Sequence, residues 1–217
     1  MDFGAYVFTA ATAYLLGSVP TGFVVGKAKG IDIRTVGSGN IGATNVFRIL
    51  GKPAGIFVLV FDGLKGYAAC GWLPDLVFQY VTNRFTGADR TTHEALRIIG
   101  GISAILGHNY TCWLKFRGGK GIATSAGVLA ALVPAALIII FIIWVVVFAT
   151  TRYVSLSSIS ASVALPFAAY FTRNSLTIVG VTAAMAALAV YKHRSNIQRL
   201  LNGTESRFAR KPKEQSP

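Results

Sequence analysis

The stretch Gly121-Ile-Ala-Thr-Ser-Ala-Gly-Val-Leu-Ala-Ala-Leu-Val-Pro134-Ala-Ala-Leu-Ile-Ile-Ile-Phe-Ile-Ile-Trp-Val-Val-Val-Phe-Ala149 carries no charge, and the fold turns on whether it crosses a bilayer once or twice. Proline lacks the amide hydrogen that a helix interior needs and clashes with the preceding turn, so Pro134 divides the run. Two crossings give about seven transmembrane helices in all, with the N-terminus outside and the C-terminus cytoplasmic. Cytoplasmic loops are rich in Lys and Arg. On the seven-span reading the inside holds Lys27, Lys29, Arg34, Arg48 and Lys52 in the first loop, and Lys115, Arg117 and Lys120 in the next. It also holds Arg152, then Lys192, Arg194, Arg199, Arg207, Arg210, Lys211 and Lys213 at the end. The outside keeps only Arg84, Arg90 and Arg173, with Lys65 and Arg97 in spans. Six spans would put the tail or the first loop outside. Seven is the expected count, although Gly121–Val133 is short for about 30 Å of hydrocarbon and is expected to tilt or enter partway.

The rest of the composition agrees. Of 217 residues, 53% are hydrophobic and 13% charged, with a mean hydropathy of +0.55, which is the signature of an all-α polytopic membrane protein. The net charge of +13 sits in loops and tail, a placement that suits anionic lipid and not nucleic acid. Cys70 and Cys112 fall in or beside apolar runs and read as small packing residues, with no disulfide framework and no metal-ligand spacing. No metal and no organic cofactor is expected. The chain starts Met1-Asp2 without a basic leader, so the first apolar run reads as a retained span. Residues 1–205 are expected to form one membrane domain, and 206–217 a basic, disordered cytoplasmic tail.

Five further spans are expected near Phe3–Val25, Pro53–Leu73, Ala95–Asn109, Ser155–Phe171 and Ser175–Tyr191. Gly17, Pro20 and Gly22 should loosen or kink the first. In the second, Asp62 and Lys65 share one helical face, and buried charges must pair, so they read as a structural ion pair ahead of a catalytic one. Pro74–Glu94 reads as a polar connector, a loop with some interfacial helix and a solvated His93. His108 is expected to make a structural hydrogen bond.

The remaining motifs are polar. Arg34-Thr-Val-Gly-Ser-Gly-Asn-Ile-Gly-Ala-Thr-Asn-Val-Phe-Arg48 is glycine-rich between two spans, and its backbone amides and arginines suit a phosphate ester. Lys115-Phe-Arg-Gly-Gly-Lys-Gly-Ile-Ala-Thr124 is a second basic, glycine-rich turn that opens a helix. The nucleotide-binding loop template fails at Gly22–Lys27, which is one residue short and followed by alanine. Ser155–Ser158 stands at a span boundary, and His193 and Asn196 lie three apart beside a modest apolar stripe. On the seven-span topology these motifs reach one membrane face, a site for anionic head groups whose tails lie in the bilayer.

Taken in order, these motifs make the sequence resemble the bacterial acyl-phosphate-dependent glycerol-3-phosphate acyltransferases. The resemblance rests on Gly17-Ser-Val-Pro-Thr-Gly, the Gly37–Arg48 loop, Asp62-Gly-Leu-Lys-Gly66 and Gly107-His108 with Phe116–Thr124. It continues through Arg152-Tyr-Val-Ser-Leu-Ser-Ser-Ile and His193-Arg-Ser-Asn-Ile-Gln-Arg-Leu-Leu-Asn-Gly-Thr-Glu205. Two departures are a longer 74–94 connector and extra basic residues in the tail.

The resemblance implies transfer of a fatty acyl group from acyl phosphate to the 1-hydroxyl of glycerol 3-phosphate. The products are 1-acylglycerol 3-phosphate (lysophosphatidic acid) and phosphate. This is the first acylation of phospholipid synthesis, at the bacterial inner membrane with the site facing the cytoplasm. It implies that Ser38, Gly39, Asn40 and Thr44 cradle acyl phosphate. It further implies that Arg48, Lys120, Ser158, His193 and Asn196 hold glycerol 3-phosphate, with Arg48, Lys120, His193 and Asn196 catalytic. The expected partners are the two substrates, membrane lipids and the enzyme that makes acyl phosphate. The implied mechanism is direct attack, the donor's own phosphate taking the proton, with His193 as general base the other route. A transporter of phosphate esters is the competing reading, but it needs polar access from both faces and the outer connectors are sparse. An acyl-carrier or coenzyme-A type of acyltransferase calls for an aspartate five residues after a histidine. Ile98, Trp113 and Gln198 occupy those positions.

Overall fold

A computed structural model describes residues 3–84, 90–172 and 174–208. Met1, Asp2, Arg173, Arg210, Lys211 and Lys213, each named above, lie outside the described residues. The helices are α1 (Phe3–Ser18), α2 (Thr21–Ala28), α3 (Ala43–Leu50), α4 (Lys52–Cys70), α5 (Trp72–Arg84), α6 (Arg90–Asn109) and α7 (Ile122–Leu132). They continue with α8 (Pro134–Thr151), α9 (Val154–Phe171), α10 (Leu176–Lys192) and α11 (Arg194–Leu201). No strand occurs among the described residues. The expected all-α architecture is what forms.

Among the described residues four stretches are long and apolar enough to cross a membrane: Phe3–Ala28, Lys52–Tyr80, Pro134–Thr151 and Val154–Phe171. Leu176–Lys192 with Arg194–Leu201, bent by 57°, makes a fifth if counted as one span. Pro134 does split the long apolar run, and Ile122–Leu132 before it is the short apolar helix that its length foretold. Helix α6 covers the expected 95–109 segment but carries Arg90, Glu94 and Arg97, and does not qualify as a span by composition.

The chain divides into two compact units, Met1–Leu137 and Ile138–Pro217. In the first, α4 is the central helix, touching α1, α2, α3, α5, α6 and α7. Helices in a bilayer gain little from the hydrophobic effect against one another, and small residues let their backbones approach. Here Gly66 of α4 lies so near the Thr124 carbonyl of α7 that a methyl group would strike it, and Gly107 of α6 stands likewise against Tyr14 of α1.

The first span breaks where Pro20 falls, between α1 and α2. A break inside hydrocarbon strands carbonyl groups that must find donors. Lys65 Nζ donates to the Val19 carbonyl at 2.8 Å, and Thr111 Oγ1 donates to the Ser18 carbonyl at 2.6 Å. Lys65 also pairs with Asp62 at 2.8 Å, and Asp62 accepts from Thr21 Oγ1 at 3.0 Å. The expected structural pair is therefore real, and it closes the helix break. His108 Nδ1 stands 3.7 Å from Asp62 Oδ1. Cys70 and Cys112 are both free thiols.

Two expectations for the connector need correction. It is helical from Trp72 through Arg84 and again from Arg90, not mainly loop. Leu-Pro-Asp-Leu-Val-Phe-Gln-Tyr contains no glycine, and Pro74 and Asp75 suit a first helical turn. His93 is not simply solvated: its Nε2 lies 2.7 Å from Asp75 Oδ1 and its ring packs on Phe78 at 4.7 Å.

In the second unit α9 packs against α10, and α11 touches both. Ser175 caps α10 by accepting from the Ile178 amide at 3.3 Å. After Glu205 the chain runs on to Phe208, whose amide donates to the Arg152 carbonyl at 2.9 Å while its ring meets Phe148 at 5.8 Å.

Candidate active site

The Arg34–Arg48 loop folds around one side chain. Asn45, in the first turn of α3 and 2% exposed, donates through Nδ2 to the carbonyls of Ile33 (3.1 Å), Val36 (3.1 Å) and Asn40 (2.9 Å). Its Oδ1 accepts from the Ser38 amide at 2.9 Å. Gly37 and Gly39 take φ of +60° and +67°, a region costly for side-chain-bearing residues, and a methyl group on Gly37 would meet Asn45 itself. Asn40 Oδ1 accepts from the Gly42 amide at 2.8 Å, fixing the turn that starts α3. Ser38 and Gly39 are consequently exposed at the crest, with Asn40 and Thr44 half-buried beside them. These four predicted residues are brought together. Arg48 is exposed one turn beyond Thr44, in the last turn of the same helix.

The base of the loop is held by charge. Arg34 binds Asp32 through two nitrogens at 2.9 and 2.7 Å and lies over the Phe23 ring at 4.6 Å, and Lys27 stands 3.6 Å from Asp32. Arg34's hydrogen bonds hold the Asp32 carboxyl well below the usual carboxylate range, and Asp32 raises Arg34 in return.

The second basic loop follows α6. Lys115 and Phe116 both take left-handed backbone conformations, φ 53° and 59°, each costing about 1–2 kcal/mol. The turn is tied by Phe116 N–H to the Thr111 carbonyl (2.9 Å), Gly118 N–H to Asn109 (3.2 Å) and Gly119 N–H to His108 (3.0 Å). Lys120 follows, half-buried, two residues before α7 begins. Asn109, whose carbonyl ties the turn, is buried.

In the second unit one predicted residue, Asn196, is bound to a carboxylate that sequence reasoning did not single out. Glu205 Oε1 accepts from Ser155 Oγ and from Asn196 Nδ2, both at 2.7 Å, and Oε2 accepts from Arg199 Nε at 2.7 Å. Burial pushes this carboxyl up, but the bonds from Ser155, Asn196 and Arg199 outweigh it and leave the group below its ordinary value. His193 is the junction of α10 and α11: its carbonyl accepts from the Asn196 amide at 2.8 Å, and its Nδ1 contacts the Ala189 carbonyl at 2.7 Å. A carbonyl can only accept, so Nδ1 carries a proton there and Nε2 is the nitrogen turned away from that bond. Ser158 donates to the Val154 carbonyl at 2.8 Å and accepts from Trp144 Nε1 at 3.2 Å.

Arg48 and Lys120 thus belong to the first unit, and Ser158, His193 and Asn196 to the second. Among the described residues no group of three His, Cys, Asp or Glu side chains has a metal-binding arrangement. The missed residues are Asn45 and Glu205. Each is a lone polar residue inside a motif already noticed, but only the folded chain shows that several backbone or side-chain groups converge on it.

Three comparisons bear on this arrangement. The family model described as glycerol-3-phosphate acyltransferase matches residues 7–203. Relatives named glycerol-3-phosphate acyltransferase include one from Geotalea daltonii, 43% identical over 91% of this chain and 95% of its own length. Another, from Geobacter metallireducens, is 48% identical over 93% and 97%. Among solved structures the chain is similar to PlsY (YgiH), an integral membrane glycerol 3-phosphate acyltransferase, in its glycerol 3-phosphate form. That match has a TM-score of 0.80 and 38% identity, covering 95% of this chain and 96% of the other. The lysophosphatidic acid form of the same protein matches with a TM-score of 0.78 and 37% identity.

Proposed function

The chain belongs to the glycerol-3-phosphate acyltransferase family, and from that premise we propose that its acyl donor is acyl phosphate and its product 1-acylglycerol 3-phosphate. The observation that carries the donor assignment is the loop wound on Asn45, which presents Ser38 and Gly39 at its crest with Asn40 and Thr44 beside them. The Ser38 and Gly39 amides are taken up within the loop, so the crest matches a phosphate through its small polar side chains, the Ser38 and Thr44 hydroxyls among them, and it needs no nucleotide pocket. Arg48, Lys120, Ser158, His193 and Asn196 are assigned to glycerol 3-phosphate. Arg48 and Lys120 offset the repulsion between two anionic reactants.

The chemistry follows from the mixed anhydride. The 1-hydroxyl oxygen of glycerol 3-phosphate attacks the acyl carbonyl carbon, the bond from that carbon to the phosphate oxygen breaks, and the hydroxyl proton passes to the departing phosphate. The protein then supplies proximity and positive charge. His193, with its proton held on Nδ1 by Ala189, orients the hydroxyl through Nε2. Asn196 is held by Glu205. Substitution His193→Gln, assayed across pH, separates the two routes. Residual turnover with a raised KM for glycerol 3-phosphate is expected. Abolished turnover with intact glycerol 3-phosphate binding would establish His193 as the base.

The same reading includes seven crossings of the bacterial inner membrane and a site on the cytoplasmic face, where acyl phosphate arrives from the enzyme that makes it. The direct test of the donor is purified protein in detergent with glycerol 3-phosphate and either acyl phosphate or acyl-coenzyme A. Lysophosphatidic acid and stoichiometric phosphate are expected from acyl phosphate. Product from acyl-coenzyme A alone overturns the assignment.

A further inference from the structure

Building on acyl phosphate as the donor, we propose that the cleft between the two basic loops of the first unit binds the donor's phosphate, with Arg117 and Arg34 as further substrate-binding residues. The cleft is half-open, about 380 Å³ in volume, and lined by Arg34, Thr35, Gly39, Ile41, Arg117 and Gly118. Small-molecule sites commonly occupy about 300–1,000 Å³, so a phosphate with the start of its substituent is accommodated.

Its donors are guanidinium groups. The Gly39 amide is spent on the Val36 carbonyl and the Gly118 amide on Asn109, while the Thr35 hydroxyl donates to the Asp32 carbonyl. Arg34 is locked in place by Asp32 and the Phe23 ring, using its Nε and one terminal nitrogen, which leaves its other terminal nitrogen for a ligand. Arg117 enters from the opposite loop, its backbone anchored to the Leu114 carbonyl at 3.1 Å. Lys27 and Arg34 more than offset Asp32, and Arg117 adds a further charge, so the cleft is net positive and suited to a doubly charged oxyanion. Guanidinium forks match phosphate oxygens in shape as well as charge.

The lining favours the donor over the acceptor. Gly39 is shared with the crest assigned to acyl phosphate, whereas none of Arg48, Lys120, Ser158, His193 or Asn196 lines the cleft. Orthophosphate, the other product, should occupy the same place and compete with acyl phosphate.

The test compares wild type, Arg117→Gln and Arg117→Lys in detergent, by steady-state kinetics and by the rise in melting temperature on adding orthophosphate. Arg117→Gln is expected to raise the KM for acyl phosphate roughly tenfold, as for loss of a charged hydrogen bond, with little change for glycerol 3-phosphate. It should also weaken orthophosphate protection, and Arg117→Lys should restore part of both. Wild-type turnover with acyl phosphate tests the donor reading alone. Orthophosphate protection needs no donor and tests the cleft alone, so equal protection in wild type and Arg117→Gln overturns the proposal whichever donor is used. A rise confined to the KM for glycerol 3-phosphate gives the cleft to the acceptor and also overturns it. So does a defect seen only in vesicles of anionic lipid, which would mark a headgroup site.

Discussion

Asn45 shows how much one amide can do. It pairs with three carbonyls and one amide hydrogen of the loop before it, and it is almost fully buried. Asn45→Ala leaves those backbone groups without their partner, and buried unsatisfied groups cost about 1–3 kcal/mol each. A loss of about 2–4 kcal/mol is expected, part of the deficit being made up by water. Because the crest is no longer held, kcat/KM for acyl phosphate should fall roughly a hundredfold. Thermal denaturation and steady-state kinetics on the purified variant check both. A stable variant of wild-type activity would remove Asn45 from its organising role.

Glu205 is the corresponding residue of the second unit, and its effect is readable through pH. Its folded-state value is lowered below the ordinary 4.5, so the carboxylate stabilises the fold above that value and the contribution is lost as pH falls through the folded value. The wild-type melting temperature should therefore drop on acidification below about pH 4.5, beyond whatever decline Glu205→Gln retains. Identical acid limbs would show that the three bonds to Ser155, Asn196 and Arg199 contribute no net stability.

At the scale of elements, the telling feature is the broken first span. Pro20 ends one helical segment inside an apolar stretch, and Lys65 on the central helix supplies the donor for the freed Val19 carbonyl while pairing with Asp62. Breaking a buried pair by removing one partner leaves an uncompensated charge, at a cost of about 3–5 kcal/mol. Lys65→Met should accordingly be severely destabilised in detergent. The double variant Asp62→Asn with Lys65→Met should recover part of that loss, since no charge is left alone. A double variant as unstable as the single one would locate the whole effect in the helix break and not in the ion pair.

At the scale of the whole molecule, topology makes the sharpest prediction. The proposed seven crossings would put the C-terminus in the cytoplasm, so a fluorescent protein fused after Pro217 should fluoresce and an alkaline phosphatase fused there should be inactive. The same phosphatase fused ahead of Met1 should be active, provided it is exported. Both ends on one side would require an even number of spans, and the fully opposite pattern an inverted chain, because each crossing reverses the side on which the next loop lies.

Composition, the Pro134 break, the kink at Pro20 and the Asp62–Lys65 pair were all legible from sequence, because each depends on near neighbours: a missing amide hydrogen, or two charges three residues apart in hydrocarbon. So were the polar motifs and the family they suggested, since motif order survives in the linear chain. The helical extent of the connector and the partner of His93 were not, because turn-forming residues dominate a local reading while Asp75 and Phe78 lie a full element away. Nor could the chain by itself reveal that Asn45 and Glu205 are the hubs of their units, or that Arg34 and Arg117 line one cleft. A hub is defined by how many groups converge on it in space. Convergence of residues far apart in sequence exists only once the helices have packed.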